Sequence, residues 1–355
     1  MKLTQRTRRA GAAAAMAILI GGGGVAAGAA ITGAGNPQAA PSAPAAPSVP
    51  APASYASVVQ QVLPSVVQIR TSSGLGSGVV LDTAGNIVTN AHVAGDATTF
   101  QVQVADDPAP RHAKLVGSYP PDDLAVIRVD DPSGLKPAAF GDSDKARAGD
   151  VVLAVGNPLG LSSSVTQGIV SATDRAVTEP SSGGSPAGAL PGAIQTSAPI
   201  NPGNSGGALV TPTGQVIGIP TLAAVSANGS TQAQGIGFAI PSNLARDIAR
   251  QLIETGHVTN SHRAALGAQV TTAAGPDGAP AGAGIVAVTS GGPADSAGLR
   301  PGDVITAAGT TRTPDGTALS QALAAARPGQ QVTLAITRSA QQLNLPVTLG
   351  ELPGS

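Results

Sequence analysis

Residues 200–210 read Ile-Asn-Pro-Gly-Asn-Ser-Gly-Gly-Ala-Leu-Val, a glycine-rich turn that runs directly into a short apolar strand. A nucleophilic serine needs a sharp turn that exposes its hydroxyl, with glycines beside it so that backbone N–H groups can approach a developing oxyanion. Gly203 and Ser205 stand two positions apart, the spacing at which both N–H groups can point into one hole. A Gly-rich turn without chemistry has the same composition, so the surroundings must decide. Short β-type runs recur on both sides of it: 65–70, 78–81, 87–90, 100–104, 124–129, 150–155, 168–171, 208–210 and 216–219. Turn residues separate them, and many short strands at this spacing predict a mainly β architecture, a barrel or a sandwich. One helix closes the region, with Ser242 as N-cap, Leu244, Ile248 and Leu252 at i, i+4 and i+8, and Gly256 as the stop.

A serine nucleophile needs a base, and Thr89-Asn90-Ala91-His92-Val93 places a histidine directly after a strand that would hold it rigidly. His112, His257 and His262 sit among polar residues without such a strand. An orienting carboxylate is offered by Asp122-Asp123-Leu124-Ala125-Val126-Ile127, at the start of an apolar run; the residues alone leave Asp122 and Asp123 open.

The composition narrows the alternatives. The chain has 355 residues, enough for two ordinary domains, with 47 Gly, 30 Pro and no Cys. Thiolate nucleophiles, disulfides and Cys-based zinc sites are therefore excluded, and the histidines show no ligand spacing. Aromatic residues make up 1% and the net charge is −1, which offers neither stacking platforms nor a basic footprint for nucleic acid. The amino-terminal segment, residues 1–32, carries Lys2, Arg6, Arg8 and Arg9 ahead of an apolar run over 10–31 and reads as an export signal, cleaved after Ala29 or Ala30 or kept as an anchor. Residues 33–54 are a Pro/Ala-rich linker without charge. A polar joint over 257–263 separates the β-rich region, 55–256, from a second module over 264–349. That module has apparent strands at 284–288, 332–337 and 343–348 and a helix around 317–326. The tail from 350 onward is expected to fray.

His92, the pair Asp122 and Asp123, and Ser205 fall in the chain order His, Asp, Ser on a β framework, the order of chymotrypsin-like proteases. The stretches GSGVVLD, TNAHV, DDLAVI, GDSDKARAGDVVLAVGNPLGL, TQGIVSA, INPGNSGGALV and GIGFAIP resemble the protease domain of the HtrA/Deg family of exported serine endopeptidases. The resemblance implies a double β-barrel of chymotrypsin type. It implies His92 as general base, Asp123 as its orienting carboxylate and Ser205 as nucleophile, and it prefers Asp123 because the family acid directly precedes the apolar-Ala-Val stretch. Gly203, Asn204 and Ser205 would supply the oxyanion-hole N–H groups. Ile200 matches a position lining the primary specificity pocket, which without an acid should prefer a small or medium apolar side chain. Arg175, after Ser171-Ala172, matches an activation-loop arginine that senses peptide binding. Ser197 and Pro220 depart from the family's usual Asp and Asn, which bears on cleft shape and activation.

The second module resembles an α+β PDZ domain. Leu266-Gly267-Ala268 matches the carboxylate-binding loop, and Ala297-Gly298-Leu299-Arg300-Pro301-Gly302-Asp303-Val304-Ile305 is its most specific stretch. Ala268 is smaller than the usual residue there. The resemblance implies unfolded proteins or peptides as substrates, C-terminal peptides at the PDZ domain, no cofactor and no metal, and a homotrimer that the residues leave open against a monomer. Two other readings fit the same residues: a peptide-binding or chaperone-like module with a dormant site, and a processing protease of an envelope-stress pathway. The loop over 178–191 is expected to be mobile. The Arg, Ala and Gly usage points to a GC-rich bacterial genome.

Overall fold

The computed structural model describes residues 54–352 except 73, 105–106, 108, 158–163, 179–188, 202 and 226–231. The export signal, nearly all of the linker and most of the 178–191 loop therefore lie outside the described residues.

The first barrel contains β1 (Val66–Arg70), β2 (Leu75–Val80), β3 (Asn86–Thr89), β4 (Thr99–Gln103), β5 (Arg111–Tyr119) and β6 (Leu124–Val129). Its strand order is β1-β2-β3-β6-β5-β4, closed by antiparallel pairing of β1 with β4. The second holds β7 (Val151–Gly156), β8 (Ser164–Thr178), β9 (Ala189–Thr196), β10 (Ala208–Val210), β11 (Val216–Val225) and β12 (Gln232–Pro241). It closes through β10 and β7 in the order β10-β11-β12-β9-β8-β7.

Strand periodicity explains why β1, β2, β3, β6 and β7 read as largely apolar runs. Successive side chains point to opposite faces, and in these strands both faces are mostly buried, whereas β4 alternates buried and exposed. Val67, Val80, Ile87 and Ala125 fill the first barrel, while their neighbours Val66, Val79, Val88 and Val126 face a layer shared with Leu153 and Val155 of the second barrel. Val152, Ala154, Leu209 and Ile217 fill the second barrel. The helix expected at the end of the region is α3 (Ser242–Thr255), whose Ile248 and Leu252 pack into the shared layer. Two shorter helices precede it, α1 (Tyr55–Val62) and the one-turn α2 (Ala91–Ala94).

Several expectations are corrected. Ser242 is not the α3 cap: its hydroxyl donates to the Gly141 carbonyl at 2.9 Å, and Pro241 holds the cap position without a side-chain bond. β5, β9 and β12 were not expected as strands, and β8 runs far beyond 168–171. The tail does not fray through 352, because β20 (Gly350–Glu351) pairs with β13 (Ala264–Ala265).

The second module adds β14 (Ala268–Ala274), β15 (Pro280–Val288), α4 (Pro293–Ser296), β16 (Val304–Ala308), β17 (Thr311–Arg312), α5 (Gly316–Ala324), β18 (Gln331–Arg338) and β19 (Gln341–Thr348). β14 ends the sheet order β14-β15-β16-β18-β19, so its outer edge is unpaired among the described residues, and α5 packs beside it. α5 also touches β8 and β9 of the second barrel. Among the described residues no helix is long and apolar enough to cross a membrane.

Candidate active site

The base, the acid and the serine come from three elements. α2 follows β3 at once and carries His92 on its single turn. Asp123 lies between a 3₁₀ turn over Pro120–Asp122 and β6, in left-handed conformation with φ 51°. That conformation points its carboxylate back at α2: Oδ1 accepts from the His92 backbone N–H at 2.9 Å, and Oδ2 lies 2.8 Å from His92 Nδ1. Asn90, fully buried, donates to the Asp123 carbonyl at 3.1 Å and fixes the same turn from behind. The His92 side chain is 45% exposed against 10% for Asp123. The structure thus separates the two candidate acids: Asp123 meets His92, whereas Asp122 points away toward Arg263.

Ser205 follows β9 and precedes β10. Gly203 has φ 105° and Gly206 φ 77°, backbone that a residue with a Cβ rarely adopts. Ser205 Oγ donates to the Thr221 carbonyl at 3.2 Å, and the Thr221 hydroxyl in turn donates to Asp123 Oδ2. Thr221 therefore ties nucleophile and acid together. Sequence reasoning missed it, because a threonine inside a strand carries no signal of its own.

Ser77 was missed as well. From β2 of the first barrel its hydroxyl donates to the Gly203 carbonyl at 2.6 Å and accepts from Asn157 N at 2.8 Å, and its own N–H donates to the Ser205 carbonyl at 3.0 Å. A polar residue between two glycines in an otherwise apolar strand was the available signal. Of the three expected oxyanion donors, the Asn204 N–H is spent inside the turn, on the Asn201 carbonyl at 3.0 Å. Those of Gly203 and Ser205 have no partner among the described residues.

Ile200 is buried against Gly237, beside Ala198 and Ala239. Arg175 is exposed on β8 opposite Ala193. Ser197 Oγ accepts from Ile169 N at 3.0 Å and so is tied to β8, whereas the Pro220 carbonyl accepts from Gly206 N at 3.0 Å and so is tied to the turn that carries Ser205. In the second module the carbonyls of Leu266 and Gly267 accept from Ala294 N and Thr289 N, and Ala268 opens the free strand edge of β14. No group of three or more His, Asp or Glu could hold a metal ion among the described residues.

Two closed six-strand barrels with a serine, a histidine and a carboxylate at their junction define the class: a trypsin-like serine peptidase, here joined to a PDZ domain. Residues 76–219 match the trypsin-like peptidase domain family and residues 264–349 the PDZ domain family. The chain is 39% identical over 317 residues to the serine protease PepD of Mycobacterium tuberculosis, covering 84% of this chain and 67% of that protein. It is 36% identical over 319 residues to the serine endoprotease DegS of Escherichia coli, covering 86% and 88%. Among solved structures, the HtrA-type protease AlgW with a decapeptide matches at TM-score 0.56 and 35% identity, over 84% of this chain and 99% of that one. The chain belongs to the HtrA/Deg family of serine proteases.

Proposed function

We propose that this chain is an exported, ATP-independent endopeptidase that cleaves misfolded or unstructured extracytoplasmic proteins through an acyl-enzyme on Ser205. The observation that carries the reading is the continuous bonding from Ser205 through Thr221 to Asp123 and on to His92 Nδ1. Asp123 holds His92 in the tautomer that leaves Nε2 as the proton acceptor. Ser205 Oγ leaves the Thr221 carbonyl, passes its proton to Nε2 and attacks the scissile carbonyl carbon. The carbonyl oxygen, now negative, is received by the N–H groups of Gly203 and Ser205; losing one such donor typically costs about 3–4 kcal/mol of barrier. His92 then protonates the leaving amine, the acyl-enzyme forms, and water repeats the sequence to release the acid.

Ile200 against Gly237, beside Ala198 and Ala239, suits a small or medium apolar side chain before the cleaved bond. The unpaired edge of β14, with α5 beside it, suits a peptide C-terminus added as a strand, its carboxylate on the loop at Leu266, Gly267 and Ala268. α5 touches the hairpin that bears Arg175, and this supports Arg175 as the residue that reports a bound peptide. Export is supported by the basic, then apolar, amino terminus and by relatives named as periplasmic endoproteases. Family membership favours a trimer. The reading is tested with Ser205→Ala, which should retain the parental thermal transition and lose hydrolysis of unfolded casein. Cleavage by that variant at the parental rate overturns it.

A further inference from the structure

Residues 257–263 look like a slack tether by composition, but the structure makes them a fixed strap. Gln251 of α3 accepts from Thr259 N at 2.9 Å and from Asn260 N at 2.8 Å, and donates to the Asn260 carbonyl at 2.8 Å. His262 Nε2 lies 3.2 Å from Asp247 Oδ2. Ser261 donates through its N–H and its hydroxyl to Glu351 Oε1 at 2.7 and 2.8 Å. The strap ends in Arg263, whose Nη1 donates to the Pro121 carbonyl and, at 3.1 Å, to Asp122 Oδ1.

This pair differs from ion pairs such as Lys114–Asp130 and Lys145–Asp142, which sit in solvent. The Asp122 side chain is fully buried and that of Arg263 is 12% exposed. Arg263 grips the two residues that precede Asp123, one by its carbonyl and one by its carboxylate. Asp123 itself holds a left-handed conformation, uncommon for a residue with a Cβ although Asp tolerates it better than most. Around Asp122 stand Arg263 and His262 from the strap and Tyr119 from β5, with Glu351 of β20 beyond Tyr119. Asp122 Oδ2 has no hydrogen-bond partner among the described residues. Such a carboxylate is not there for cheap solvation.

Resting on the triad reading above, we propose that Arg263 is a positioning residue for the triad acid: by clamping Pro121 and Asp122 it sets the turn that aims Asp123 at His92. The last residue before the PDZ domain thereby holds the catalytic geometry from outside the protease barrels. Misaiming Asp123 leaves substrate binding intact and weakens proton transfer, so the effect falls on kcat and not on KM.

The full chain is compared with Arg263→Met and Arg263→Lys. Arg263→Met is expected to lower kcat on an unfolded substrate about tenfold to a hundredfold, with KM changed less than about twofold. It should also displace the low-field ¹⁵N-histidine proton signal of the His92 Nδ1–H held by Asp123. Arg263→Lys, which can still reach the Pro121 carbonyl, should recover most of both. A folded Arg263→Met chain with parental kcat and an unmoved His92 signal overturns the proposal. If that variant does not fold, the double variant Asp122→Leu with Arg263→Met replaces the buried pair by apolar groups, an exchange that is often neutral or stabilising. It should fold and still show the lowered kcat and displaced signal; parental values in it overturn the proposal equally. Labelling the parent with a fluorophosphonate separates the two levels. An unlabelled parent refutes the triad reading, whereas a labelled parent with indifferent Arg263 variants refutes only the clamp.

Discussion

Ser77 and Thr221 act at the site through atoms that the catalytic step never touches. The Ser77 hydroxyl, held by Asn157 N, pulls the Gly203 carbonyl out of the nucleophile turn, and this orients the Gly203–Asn204 peptide. Without it the turn is free to rotate and the oxyanion hole is no longer preorganised. Ser77→Ala is therefore expected to lower kcat by about tenfold or more with little change in KM, and steady-state kinetics on an apolar peptide series would reveal it. An unchanged kcat removes Ser77 from the account. Thr221→Val keeps the strand and the shape but loses the bond to Asp123; a fall in kcat of about tenfold is expected from the same assay. His92 and Ser205 could be singled out because a serine nucleophile and its base demand particular residue types in particular settings, whereas between Asp122 and Asp123 only the family resemblance chose. Thr221 was not legible, because a threonine inside a strand carries no signal of its own, and Ser77 showed only as a polar residue between two glycines.

Glycines show how one backbone conformation carries different weight in different elements. Gly206, in the turn before β10, has φ 77°, and a Cβ there would collide with the Ser77 carbonyl and Thr89 Oγ1. Gly256 ends α3 with φ 78° and open space around it. Gly256→Ala should cost about 1 kcal/mol, the conformational term alone. Gly206→Ala must also separate β2 from the nucleophile turn and should cost clearly more. Urea midpoints of the two variants compare them directly, and equal shifts would contradict the collision. The strands that escaped the sequence have their own physical reasons. β12 begins Gln-Ala-Gln-Gly-Ile-Gly, where glycine replaces the alternating side chains that mark a strand, and β5 carries His112, Lys114 and Gly117 among its apolar positions. β7 was legible because both of its faces are buried and Val151–Val155 is an unbroken apolar run, and in β1 and β6 only Gln68 and Arg128 interrupt the apolar residues.

Across the molecule the two domains meet at buried ionisable groups, so stability and pH are coupled there. Burial pushes Asp122 up to about 6, against the pull of Arg263 and His262. A raised carboxylate binds its proton more tightly in the folded chain, so its contribution to stability is present in full below the unfolded value near 3.8 and is lost as pH rises through about 6. Relative to Asp122→Asn, the parent should gain about 2 kcal/mol as pH falls from about 7.5 to about 4, read from chemical denaturation at each pH. A flat difference would place Asp122 in a solvated setting. Asp303 works the other way: its bonds to Arg338 hold its carboxyl below the usual range despite burial, so its contribution is present at neutral pH and fades in acid. The sequence marked only a short polar joint over 257–263 between the domains. It could not show a strap pinned by Glu351 and Asp122 as well as by nearby Gln251, because the first two lie 90 and 141 residues away in the chain.

The central claim is that His92, Asp123 and Ser205 form a working triad at the junction of the two barrels. The most direct measurement treats the chain with a fluorophosphonate and locates the adduct by peptide mass spectrometry, beside His92→Ala and Ser205→Ala forms. The account predicts a single adduct on Ser205 in the parent, sharply slowed in His92→Ala and absent in Ser205→Ala. An adduct on another serine, or equal labelling in His92→Ala, would contradict it.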